Sequence, residues 1–222
     1  VFRAYVLPFV LFLGALFLLS VVRMLVPKSD LLFLAHPEFW VFPLQTLVCG
    51  AALVVFWKYY TFDFQRGVVL GILAGLLSLA IWISPQWLLG VAPRVDGFNP
   101  TTLAQDPTLY WLTIIARFAR LVIVVPLLEE IFWRGFLMRY LIREKFMEVP
   151  FGEYRLFSFA AVAVLFGFEH YGPDIIPGIL TGVIYNAVAV RTRSLGACVI
   201  AHAVTNLGLG IYIMATKQWG FW

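Results

Sequence analysis

Long apolar runs, broken by short polar punctuation, make up almost the whole chain. A membrane-crossing helix needs about 20 mostly apolar residues at 1.5 Å each, and the runs reach that length repeatedly. The first predicted helix covers about Ala4 to Leu25 and is broken by "VPKSD", with Pro27 as the punctuation. The second covers about Phe39 to Tyr59. The third, about Gly67 to Leu89, carries Gly67, Gly71 and Gly75 at spacing four, which favours close helix contact. The polar stretch "GVAPRVDGFNPTTLAQDP" then belongs outside the hydrocarbon. The fourth helix is long, about Thr108 to Tyr140, with a kink expected at Pro126. The fifth covers about Tyr154 to Tyr171; "GPD" ends it, and Asp174 is placed to cap the sixth, which reaches about Val190. "RTRS" separates the sixth from the seventh, Leu195 to about Ala215. The pattern predicts an all-α, polytopic integral membrane helical bundle of about seven transmembrane segments, six to eight if the short fifth and sixth are re-entrant. No internal repeat or low-complexity stretch interrupts it.

Composition removes the soluble alternatives. The chain has 222 residues, 62% hydrophobic and 13% charged, with a mean hydropathy of +0.92. Soluble domains run about 45–50% apolar and about 25% charged, so lipid is the main solvent here, and residues 1–222 read as a single transmembrane domain. The net charge of +4 and pI near 9.2 do not point to nucleic acid, because the basic residues sit in short loops between apolar runs. With seven spans, Arg3, Lys58, Arg66, Arg139, Arg143, Lys145, Arg155, Arg191 and Arg193 fall on one side. The other side keeps Arg23, Lys28, Arg94 and Lys217, diluted by Asp30, Glu38, Asp96 and Asp106. The positive-inside rule then puts the N-terminus in the cytoplasm. No small-residue cleavage site follows the first run, which reads as an anchor rather than a signal peptide. Cys49 and Cys198 read as small buried packers. Most of the aromatic residues, eight Trp among them, read as an interface belt and lipid-facing surface.

The informative residues are polar groups in apolar helices. "LLEEIFWRGFL" places Glu129, Glu130 and Arg134 inside the fourth helix. A charge left bare at mid-bilayer costs about 2.5–3.5 kcal/mol. Glu130 and Arg134 are four apart and can pair on one face. Glu129 lies about 100° around the helix, so it should meet a different neighbour and escape that arginine. In the fifth helix, "LFGFEHYG" sets Phe166 four residues before His170, so that the ring packs under the imidazole. In the seventh, "IAHAVTNLG" sets His202 and Asn206 on one face. Packing helices four, five and seven together gathers two carboxylates, two imidazoles, a carboxamide and a guanidinium in one pocket. Such a set suits amide hydrolysis: a carboxylate and an imidazole activate water, and a second imidazole with an amide donates to an oxyanion. The same atoms also suit a divalent metal such as zinc, held by Glu129, His170 and His202 with water in the open position. HExxH is missing.

The three pieces, in this order, resemble the CAAX-protease and bacteriocin-processing family of intramembrane proteases, also called the Abi family. Its pattern is EExxxR, then FxxxH, then HxxxN or HxxxB. Here they stand as Glu129-Glu130-Ile131-Phe132-Trp133-Arg134, Phe166-Gly167-Phe168-Glu169-His170 and His202-Ala203-Val204-Thr205-Asn206. The resemblance covers about residues 108–215 as a catalytic core; residues 1–107 carry none of it. It implies an all-helical membrane core with its site open toward the cytosol. The family includes the enzymes that cut the last three residues from prenylated CAAX proteins. By resemblance, Glu129 and His170 activate the water, His202 and Asn206 form the oxyanion hole, and Glu130 and Arg134 brace the site. The implied partners are the lipid bilayer and a membrane-associated protein or peptide substrate, lipid-modified or bearing a sorting signal. The implied place is a bacterial or archaeal plasma membrane. Some bacterial relatives look like companions of exosortase sorting systems, others like bacteriocin-immunity proteins.

Bland readings stand beside these. EExxxR also reads as a structural ion pair, His170 as a satisfied core histidine, and His202 with Asn206 as an interhelical clamp. Their combination makes an intramembrane endopeptidase the leading expectation. A non-catalytic membrane scaffold of the same fold is the alternative. A proton relay or transporter lacks the paired broken helices it would need. Glu169, beside His170, is expected to face water or a lipid headgroup. Arg117 and Arg120 are expected to snorkel or to line a cavity.

Overall fold

The computed structural model describes residues 1–25 and 31–222. Pro27, Lys28 and Asp30, used above as a helix break and in the charge count, lie outside the described residues. Among the described residues the bundle is built by α1 (Phe2–Leu25), α2 (Glu38–Phe56), α3 (Val68–Leu88), α4 (Pro107–Tyr140), α5 (Leu156–Phe168), α6 (Ile175–Thr192) and α7 (Leu195–Thr216). No strand occurs among them. Six spans are long and apolar enough to cross a membrane. Their outward faces carry exposed Phe17, Val54, Val69 and Leu73, as expected where lipid replaces water as the solvent.

The fifth segment departs from the expected Tyr154–Tyr171. It starts at Leu156 and stops at Phe168, because Tyr171 turns extended and Gly172 adopts φ +60° before Pro173. Its 13 residues span only about 20 Å. Asp174 does not cap α6 with its side chain. It instead takes both guanidinium arms of Arg94, at 2.6 and 2.8 Å, tying the loop after α3 to the start of α6. Arg139 is another departure. Counted above among the loop charges, it is buried, donating from Nε to the Val149 carbonyl and from Nη1 to that of Gly135. It thereby pins the loop that follows α4.

Close helix approach sets the register of α7. A Cβ at Gly75 would sit 2.5 Å from the Ala201 carbonyl oxygen, and one at Gly71 2.7 Å from that of Ala197. The glycine face of α3 therefore lies directly on the α7 backbone, as its spacing predicts. At that distance the Thr205 hydroxyl reaches the Gly75 carbonyl at 2.9 Å and accepts from the Tyr185 hydroxyl at 2.7 Å. The two bonds link α3, α6 and α7 one turn from His202. Cys49 and Cys198 are buried free thiols.

Helix α4 is continuous but not regular: Arg120–Val124 and Ile131–Leu137 form wide π turns. Val125 donates to the Arg120 carbonyl, five residues back. In the same pattern Pro126 would donate to Leu121, but proline has no N–H. The orphaned Leu121 carbonyl takes the Asn206 amide of α7 at 2.8 Å. Two other prolines follow the rule. Pro8 frees the Ala4 carbonyl, which accepts from the Tyr60 hydroxyl at 2.5 Å. Pro85 frees that of Ile81, which accepts from Ser84 Oγ at 3.1 Å. In a membrane such carbonyls cannot turn to water, so side chains serve instead.

Candidate active site

Arg134 is the centre of the polar cluster. It is buried, and each arm of its guanidinium has a partner: Nη1 meets Glu130 Oε1 at 3.0 Å, Nε donates to Asn186 Oδ1 at 2.9 Å, and Nη2 to the Gly182 carbonyl at 3.3 Å. Gly182 is needed there, because a Cβ would fall 2.9 Å from Ala163 Cα on α5. The plane of the cation lies 4.6 Å from the Phe166 ring centre, a favourable contact when desolvated. The i,i+4 pair expected from EExxxR is thus present, with both side chains out of contact with solvent.

His202 lies between the two glutamates. Its Nδ1 is 2.9 Å from Glu130 Oε1, and its Nε2 is 3.9 Å from Glu129 Oε2. Glu129 therefore escapes Arg134 as expected, but it does not find a separate neighbour. The 100° between adjacent helical positions puts one carboxylate at each edge of the same imidazole. With Nδ1 on a carboxylate, that nitrogen carries the proton, and Nε2 is turned toward Glu129. The 3.9 Å gap is too long for a direct hydrogen bond.

Phe166 forms the floor of the site. It makes edge contacts with His170 and His202, at centroid distances of 5.5 and 6.1 Å, and with Trp133. The ring-under-imidazole packing read from FxxxH is observed, and the same ring serves the second histidine and the arginine. His170 turns Nδ1 to the Phe166 carbonyl at 3.1 Å and packs against Trp82 of α3, which leaves Nε2 free.

A cavity of about 200 Å³ opens on this cluster. Glu129, His170, His202 and Asn206 all line it, together with Phe12, Trp82 and Arg120. Glu130 and Arg134 stand behind it. Phe12 and Trp82 come from α1 and α3, so residues 1–107 supply walls although they carry no motif.

Two polar residues escape sequence reading. Asn186 receives Arg134 and passes its own amide to the Phe159 carbonyl at 2.8 Å; a lone asparagine in an apolar helix has no spaced partner to mark it. Glu169 does not face water or headgroups. It accepts from the Trp133 indole at 3.1 Å, and its Oε1 is buried without a partner. Helix α5 ends one residue earlier, so wheel geometry does not apply to it. Arg120 lines the cavity, one of the two places expected of it. Arg117 is stacked on Phe42, Phe98 and Trp222, with Nε and Nη1 unpartnered.

Among the described residues, no group of three or more His, Cys, Asp or Glu side chains is arranged to hold an ion.

Comparison with known proteins adds one finding. Residues 111–208 match the family model described as type II CAAX prenyl endopeptidase Rce1-like. No curated protein and no solved structure matches the chain. The matched span contains all three motifs.

Proposed function

We propose that this chain, whose residues 111–208 match the type II CAAX prenyl endopeptidase Rce1-like family model, is a glutamate-dependent intramembrane endopeptidase acting on a lipid-modified, membrane-associated protein. The observation that carries the reading is the shared cavity of Glu129, His170, His202 and Asn206. A buried structural clamp would satisfy its groups against one another. Among the described residues Glu129 makes no direct hydrogen bond, and His170 Nε2 has no hydrogen-bond partner.

The chemistry follows from those placements. Glu129 takes a proton from water, with His170 across the cavity to orient it, and the hydroxide attacks the scissile carbonyl. The negative charge that develops on the carbonyl oxygen is met by donors fixed beforehand. Asn206 spends one amide N–H on Leu121 and has a second to give. His202 donates from Nε2 when it carries both protons, with Nδ1 held by Glu130. Proton return to the leaving amine completes hydrolysis. Glu130, Arg134 and Asn186 keep His202 and Glu129 in register.

The one-sided distribution of basic loop residues supports a cytoplasmic N-terminus. The test is cleavage of an S-farnesylated peptide ending in a CAAX tripeptide by the purified protein in nanodiscs. Loss of cleavage in Glu129→Gln and His170→Ala, with melting temperatures close to wild type, supports the reading. Equal cleavage by the Glu129→Gln variant removes it and leaves a scaffold of the same fold.

A further inference from the structure

The cavity holds a cation that the hydrolytic machinery does not use. Arg120 is 6% exposed and, among the described residues, is the only arginine or lysine lining the cavity. Its Nε donates to Gln45 Oε1 at 2.6 Å, and Gln45 is fixed by its own bond to the Phe12 carbonyl at 2.8 Å. Its guanidinium rests on the rings of Phe42 and Phe12, at 4.5 and 5.4 Å. The stem is therefore held on several sides, while Nη1 and Nη2 have no hydrogen-bond partner among the described residues. The remaining acid at the cavity rim, Asp174, is already taken in both oxygens by Arg94.

Backbone geometry turns this arginine toward Glu129. In a regular α-helix, nine residues at about 100° each would set Arg120 and Glu129 about 180° apart. The π turn Arg120–Val124 accommodates an extra residue and removes about 100° of that rotation. Both side chains consequently line one cavity. The separation along the helix is about 13 Å, comparable with the ~10 Å reach of three extended residues.

We propose that Arg120 binds the terminal carboxylate of the substrate, three residues beyond the bond that is cut, and so makes the enzyme select a free C-terminus. This assignment rests on the endopeptidase reading above and deepens it. Arginine suits the role because its paired donors match a carboxylate. The walls beside it, including Leu209, Ile213 and Phe221, are apolar and suit aliphatic side chains. The competing role is a counter-ion for Glu129, and the two roles predict different results.

The test uses two S-farnesylated peptides of one sequence, one ending in a free acid and one in an amide. Binding is read by fluorescence anisotropy, and cleavage by mass spectrometry, with wild-type protein and Arg120→Gln and Arg120→Lys variants in nanodiscs. Wild type should bind the acid about 10–100-fold more tightly than the amide, the span of a charged hydrogen bond. Arg120→Gln should bind both equally and weakly, and Arg120→Lys should keep part of the preference. If wild type binds acid and amide alike, the assignment is overturned whatever the variants do. It is also overturned if Arg120→Gln lowers cleavage of both peptides while keeping the wild-type ratio, since that is the counter-ion role. An acid preference that depends on Arg120 without any cleavage supports the carboxylate site and sinks the protease reading. Failure of both peptides to bind wild type sinks both readings.

Discussion

The Asn206 side-chain amide donates to the backbone carbonyl of Leu121 at 2.8 Å, the carbonyl that Pro126 leaves without a helical partner. One bond therefore joins the proposed oxyanion residue to the π turn of α4. The catalytic helix and the helix that carries His202 are aligned by a defect in the first and a side chain on the second.

That link predicts a thermodynamic coupling. Asn206→Ala should destabilise the protein by about 1–2 kcal/mol, because it strands a carbonyl away from water. In a Pro126→Ala background a backbone N–H becomes available, and the cost should fall by about 0.5–1 kcal/mol. A double-mutant cycle in reversible detergent denaturation measures the difference; strict additivity would contradict the account.

Glu129 and Glu130 should separate by assay. Glu129→Gln should lower peptide cleavage about 10²–10⁴-fold, as expected for loss of a general base, while thermal stability changes little. Glu130→Gln should fail in both assays, since it leaves the buried Arg134 charge uncompensated at a cost of about 3–5 kcal/mol. Melting curves and single-turnover cleavage on the same preparations make the comparison.

Phe166→Leu should cost stability and activity together. The substitution keeps the site apolar but removes the ring beneath His170, His202 and Arg134. A loss of about 1–2 kcal/mol is expected from the aromatic and cation contacts, with a larger proportional fall in kcat than in KM. An unchanged kcat would mean that the imidazoles are positioned from elsewhere.

Cleavage should withstand prolonged treatment with 1,10-phenanthroline or EDTA. This follows from the carboxylate-and-imidazole route, in which water is activated by Glu129. Inhibition reversed by added zinc would instead return Glu129, His170 and His202 to the role of ligands.

Much of the site is legible because it rests on regular helical spacing. Glu130 with Arg134, Phe166 with His170, and the glycines of α3 all sit at intervals of four, and each makes the contact that the interval predicts. What escapes is whatever depends on irregular backbone. The sequence leaves Arg120 to snorkel or to line a cavity, and the π turn that decides between the two, bringing it onto the face of Glu129, is not legible in the spacing. The early end of α5 takes Glu169 off the helical wheel. Adjacent carboxylates can share one imidazole, a relation that single-helix geometry does not contain. The contributions of Phe12, Gln45 and Trp82 are long-range, and nothing local marks them.

The shortness of α5 has a consequence for the second reactant. A hydrocarbon layer is about 30 Å thick, so a helix of about 20 Å leaves roughly a third of that depth uncrossed. Lipid beside it has to thin, or polar end groups must settle below the surface. Either way the segment from Glu169 to Asp174 marks a dimple in the insulating layer, beside the cavity wall formed by His170. Hydrolysis inside a membrane needs a supply of water as much as a base to activate it, and the truncated rod leaves less hydrocarbon to cross on the His170 side.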